Sequence, residues 1–283
     1  MDTKALVRDV SLGAWVDIPK RKILTPKFVE HYASLNFDMM AVMIDQSDSD
    51  PTLSFSPKDV EVLSALLDPF AIELVLTTWA YPRRGQIDAL CRQMRELMRA
   101  GPVVGWENDV EFNWNSRVAV VGFPSLDAAG DYLIEQVTAV CKEQDARAEF
   151  TTFTEHAENS ARADVTPHAD RISLQAYSVS SRKDSEGRSR PVAWSGNEGP
   201  GKMQVRTLDR AALIPGIADG QPQVCVGLAS YLQNFPGHSV DEAMRLAVHT
   251  ACSHKVPVVE LRWWSIKHIL DNSTYEDFFR SLR

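Results

Sequence analysis

In the segment WENDVEF, Glu107, Asp109 and Glu111 occupy alternate positions, so on an extended strand all three carboxyl groups share one face. Like charges crowded on one face raise the pKa of at least one member, which then holds a proton while a neighbour stays ionised. Cleavage of a glycosidic bond needs that pair: a proton for the leaving oxygen and a carboxylate to steady positive charge on the sugar. Glu111, nearest the end of the segment, is the candidate general acid and Asp109 its partner. Glu107 reads either as a salt-bridged core residue or as a substrate contact.

Other chemistry-bearing residues close short apolar segments elsewhere in the chain. Asp17, Asp45 and Glu260 supply acids, and Gln175, Tyr177 and Asn113 supply hydrogen-bonding groups. Trp79, Trp114, Tyr231, Trp263 and Trp264 offer flat apolar rings on which a pyranose can stack. Adjacent residues of a strand face opposite ways, so one of Trp263 and Trp264 must point inward. Arg83 and Arg84 are either contacts for an anionic substituent or a solvated loop pair.

These residues need a frame that brings strand ends together. Eight short apolar segments recur, each followed by a polar turn and a helical pattern: 12–17, 39–45, 72–79, 103–111, 148–154, 171–177, 223–231 and 257–263. This rhythm predicts repeated βα units around a parallel sheet, and runs such as MMAVMI fit strands covered on both faces. Thr25-Pro26 and Ser56-Pro57 place an N-cap directly before proline, Ser239/Glu242 and Ser273/Glu276 have capping-box spacing, and 125–143 carries helical periodicity. The expected fold is one (β/α)8 barrel over 1–283, with a long loop at 179–206 that is either a lid over the working face or a mobile insertion.

Composition narrows the partners. The chain has 283 residues, 44% of them hydrophobic, and a net charge of -8, which suits a single barrel with a neutral or cationic polymer as substrate and argues against nucleic acid. No stretch is long and apolar enough to span a bilayer, and no signal-peptide pattern opens the chain, so synthesis in the cytoplasm is expected, with release or delivery to a cell wall by another route. Cys91, Cys141, Cys225 and Cys252 lie far apart and read as buried thiols. Neither GxxxxGK[ST] nor GxGxxG occurs.

By motif, over a few short stretches, the sequence resembles two families of barrel glycosidases. Asp109-Val110-Glu111 looks like the DxE that ends the fourth strand in family 25 lysozymes, and Asp17 resembles their first-strand aspartate. Glu107, Asp109 and Glu111 also resemble the end of the DxxDxDxE signature of family 18 chitinases. Tyr177 then resembles the sixth-strand tyrosine, and LRWW the floor under an acetamido sugar. Glu107 stands where the chitinase pattern has aspartate, Val104 where it has its first acid, and Ser178 follows Tyr177 in place of an acid. The resemblance implies a glycoside hydrolase with Glu111, Asp109, Asp17 and Tyr177 as catalytic residues and no cofactor. Its substrate would be an N-acetylated polysaccharide, peptidoglycan first and chitin-like polymers second.

The seventh segment, VCVGLASY, ends without an acid, which disfavours a strand-seven carboxylate nucleophile and favours attack by the substrate's acetamido group or a role for the nearby Asp. Two rival readings stand beside this one. A metal-dependent barrel hydrolase or isomerase would use Glu155, His156, His168 and the acids, although no HxH, HExxH or CxxC spacing is present. A carbohydrate-binding barrel without catalysis would keep the aromatic residues and tolerate loss of the acids. Oligomeric state is not legible.

Overall fold

The computed structural model describes residues 3–47, 49–110, 119–152, 168–177, 179–183, 189–193, 200–230, 237–270 and 272–283, with backbone alone for 179–183 and 189–193. Its centre is a closed, all-parallel barrel of eight strands. In chain order these are β1 (Ser11–Val16), β2 (Met39–Met43), β3 (Glu73–Trp79), β4 (Val103–Asp109), β5 (Arg147–Thr152), β6 (Arg171–Gln175), β9 (Gln223–Ala229) and β10 (Val258–Trp264). All eight expected segments are strands, with each end within two residues of its expected place.

Between β6 and β9 the chain departs from expectation. Residues 179–206 are not one long loop: β7 (Val179–Lys183) and β8 (Ser189–Ala193) form an antiparallel two-stranded ribbon, and a helix starts at Lys202. A ribbon outside the barrel sheet has no need of the alternating apolar face by which strands are recognised, so its Ser- and Arg-rich sequence reads as loop.

The helices begin where capping chemistry puts them. Thr25 Oγ1 accepts the backbone N–H of Phe28 at the start of Pro26–Ala33. Ser56 and Asp59 complete a reciprocal capping box ahead of Pro57–Leu67. Ser125 and Ser239 cap Leu126–Glu143 and Val240–Cys252 through their side chains. The last helix differs by one position: Asn272, not Ser273, is its N-cap, accepting the Thr274 N–H.

Two apolar regions follow from strand alternation. The large one lies between barrel and helices and holds the outward residues of every strand, among them Leu12, Val42, Leu76, Trp106, Leu174, Val226 and Trp263. The small one lies inside the barrel and is made of Trp15, Met39, Ala41 and Val75, with Val104 and Trp264 against it. The rest of the interior is polar, and it positions the candidate site. Cys91, Cys141 and Cys225 are buried as expected, and burial pushes the Cys91 thiol up to about 11.

Candidate active site

Strand register sorts the inward residues into levels, each level taking one side chain from every second strand. At the N-terminal end of the barrel lies an ion cluster. Arg262, with no exposed surface, donates through Nε to Glu260 Oε1 at 2.6 Å and through Nη2 to Glu149 Oε2 at 2.9 Å, and its Nη1 lies 2.7 Å from Glu107 Oε1. Arg171 donates to Glu260 at 2.5 Å and Arg147 to Glu149 at 3.0 Å. Three guanidinium groups thus meet three buried carboxylates, and Arg147 also reaches the more exposed Glu73 at 2.9 Å. Gly105 admits it: a Cβ there would lie 2.8 Å from Glu149 Oε1. Burial alone would raise the Glu149 carboxyl, but Arg262, Arg171 and Arg147 outweigh it and hold the group below the usual carboxylate range. The same acids hold Arg262 firmly protonated against its own burial.

This placement corrects two expected substrate contacts. Glu107 and Glu260 have no exposed surface; Glu107 accepts hydrogen bonds from Trp15 Nε1 at 2.7 Å, from Thr77 Oγ1 at 2.9 Å and from Thr151 Oγ1. With its oxygens so occupied it is a core residue, one of the two readings open from sequence. Trp263 is likewise no platform: it faces outward and packs on Phe37 and Phe279 with ring centroids 6.2 and 4.8 Å away. Trp264 is the inward member of the pair.

Above the cluster, Trp15, Gly227, Thr151 and Thr77 form a buried level, and above that Trp264, Gln175, Asp109 and Met43 form the floor of the mouth. Gln175 is buried and the other three are partly exposed. Asp109 pairs in register with Trp79 on one side and Thr151 on the other. Trp79, partly exposed, sits edge-on to Tyr81 at 4.8 Å. Its backbone N–H donates to Asp45 Oδ1 at 2.7 Å. Burial raises the Asp45 carboxyl above its ordinary value, against the opposing effect of that hydrogen bond. Asp17, at the end of β1, takes Lys267 Nζ on Oδ2 at 2.8 Å, and Tyr177 follows β6, partly exposed.

The structure therefore gathers Asp17, Asp45, Trp79, Asp109, Gln175, Tyr177 and Trp264 at the C-terminal mouth. It separates Glu107, Glu260 and Trp263 from them. Glu111, Asn113, Trp114, Glu155, His156 and Tyr231 lie outside the described residues. Arg84 is committed to stacking, 4.4 Å from the Tyr132 ring and 5.3 Å from Phe123, and Arg83 lies over Tyr81 at 5.7 Å. Among the described residues no group of three or more His, Cys, Asp or Glu side chains is placed to hold a metal ion. No described helix is long and apolar enough to cross a membrane.

Sequence reasoning missed Arg262, Glu149, Arg171 and Arg147. The signal was present: Glu260, Arg262 and Trp264 alternate in VELRWW, and Arg147, Glu149 and Thr151 alternate in RAEFTT, each a polar face on a strand whose other face is apolar.

The fold and its mouth define a (β/α)8 barrel with an acidic and aromatic rim at the C-terminal strand ends. Neither a protein-family profile nor a curated protein sequence matches the chain. Solved structures share the fold at low identity. A chitinase from Chromobacterium violaceum superposes with a TM-score of 0.61 at 8% identity, covering 96% of this chain and 98% of the other. A GH18 chitinase from Pseudoalteromonas aurantia gives 0.59 at 9%, with 96% and 98% covered. The xylanase and alpha-amylase inhibitor protein XAIP-II from Scadoxus multiflorus gives 0.57 at 10%, also with 96% and 98% covered.

Proposed function

We propose that the chain is a glycoside hydrolase that cleaves a β-linked, N-acetylated polysaccharide at the C-terminal mouth of its barrel. The observation that carries this reading is the floor of the mouth, where Asp109 stands on one level with Gln175 and Trp264 and beside Trp79: a carboxylate, a hydrogen-bonding amide and two aromatic rings. Glu111, two residues beyond Asp109, protonates the leaving oxygen. Asp109 steadies the oxocarbenium-like state or orients the acetamido group that attacks it. Tyr177 and Gln175 hold the reacting sugar, Trp264 supports its apolar face, and Asp17 and Asp45 line the rim. No step calls on a cofactor. Peptidoglycan is the first substrate and chitin-like polymers the second; the likeness to two chitinases supports the polymer class.

A second reading has one specific support. The barrel of a xylanase and alpha-amylase inhibitor protein superposes with a TM-score of 0.57, so the fold alone does not select an enzyme, and the aromatic mouth also fits a carbohydrate-binding surface without turnover. Reducing-end release from peptidoglycan, chitin oligosaccharides and other glycans separates the two, with wild type and Glu111→Gln compared with and without EDTA. A hydrolase loses turnover by roughly 100-fold or more in the variant, is indifferent to EDTA and keeps its sugar affinity. Activity that survives the substitution, or vanishes only with chelator, overturns the assignment.

A further inference from the structure

Trp15 lies directly under the floor of the mouth and is held from several directions. Its Nε1–H donates to Glu107 Oε2 at 2.7 Å, and the Arg262 guanidinium lies 5.3 Å from its ring centroid. On β9, two strands away in the barrel, the chain is pared to glycine at 227, where a Cβ would come within 3.0 Å of Trp15 Cη2. The side left over carries Trp264, whose ring meets Trp15 edge to face with centroids 6.1 Å apart at 60°. Trp15 is 2% exposed and so cannot reach a polymer in the mouth, whereas Trp264 is partly exposed.

We propose that Trp15 is a positioning residue that sets the place of the Trp264 ring, carrying the rigidity of the Arg262–Glu107 ion cluster to the surface on which a sugar stacks. The inference rests on the reading of the mouth as a glycan site. The physical basis is a chain of directional contacts. Charge-assisted pairs fix Glu107, a buried indole N–H has one acceptor on that carboxylate, and an edge-to-face ring pair prefers one geometry over a flat or sliding one. Phenylalanine at 15 keeps an aromatic ring in the space while removing the N–H that aligns it. The Trp264 ring then loses the edge that defines its tilt, although nothing that touches sugar has been changed. Aromatic pairs contribute enough that affinity should weaken by up to about tenfold through this route.

The test has one arm without substrate and one with it, both on the full chain. The protein labelled with 5-fluorotryptophan gives a fluorine resonance for Trp264, identified by its loss in Trp264→Phe. In Trp15→Phe that resonance should broaden or split as the ring samples several orientations; a single line as narrow as in wild type overturns the proposal. In the second arm, Trp15→Phe should raise KM for the best glycan about tenfold with kcat within about twofold, and should raise it no further in a Trp264→Ala background. Effects that multiply, or an unchanged KM, overturn it. Should Trp15→Phe fail to fold, Gly227→Ala pushes the indole with the Glu107 bond intact and should move both readouts in the same direction. If wild type cleaves no glycan, the hydrolase reading fails and the fluorine arm alone decides the positioning role.

Discussion

Asp45 shows how burial can outweigh a backbone contact in deciding what a carboxyl does. It lies at the rim, partly buried, and its Oδ1 accepts the Trp79 N–H. Burial outweighs that bond and raises the pKa, so the folded state holds the proton more tightly than the unfolded chain does. The sign is the reverse of a salt-bridged acid: protonation favours folding, and the ionised group costs stability once pH is above the raised value. Asp45→Asn, which keeps an oxygen for Trp79, should therefore raise Tm at neutral pH. The difference should vanish as pH falls below the ordinary aspartate value of about 3.9. Thermal melts of the two proteins between acid and neutral pH check this, and an equal difference at every pH contradicts it.

At the scale of elements, β10 ties the barrel together from inside. Glu260, Arg262 and Trp264 face inward on one strand, and Arg262 reaches acids on β4 and β5 across the interior. Removing Arg262 leaves three buried carboxylates short of a partner, a loss of about 3–5 kcal/mol that a well-packed apolar replacement at that one position does not offset. Arg262→Met should accordingly lower Tm steeply or prevent folding, as read by denaturant unfolding. Glu149 adds a pH dependence of ordinary sign. Its depressed pKa gives stability that is fully present above the unfolded value of about 4.3 and is lost as pH falls through the folded one. Glu149→Gln should flatten the acid limb of the stability profile, and an acid limb unchanged by the substitution contradicts this account.

For the molecule as a whole, the barrel was legible because its strands are covered on both faces and its helices open with Thr25-Pro26, Ser56-Pro57 and Ser239, signals that survive without knowledge of tertiary contacts. The strand ends also placed Asp109, Trp79, Gln175 and one of Trp263 and Trp264 at one mouth, alternation leaving the choice between the two tryptophans open. Depth was not legible. Glu107 and Asp109 share a face and lie two levels apart in the barrel, yet one is enclosed by Arg262, Trp15, Thr77 and Thr151 and the other reaches the mouth. That difference is set by residues on β1, β3, β5 and β10, which no local pattern around WENDVEF contains. The ribbon of β7 and β8 was missed for a different reason, its sequences VSSRK and SRPVA carrying no alternation of apolar and polar residues.

The central claim is that function resides at the mouth and stability at the opposite end, and two acids separate these directly: glycan cleavage per folded molecule by Asp109→Asn set beside that of Glu260→Gln, with Tm for each. The account predicts that Asp109→Asn loses activity by roughly 100-fold or more with Tm nearly unchanged. Glu260→Gln should lose several degrees of Tm and keep its activity at temperatures where it is folded. An active Asp109→Asn protein, or a stable and inactive Glu260→Gln protein, would contradict it.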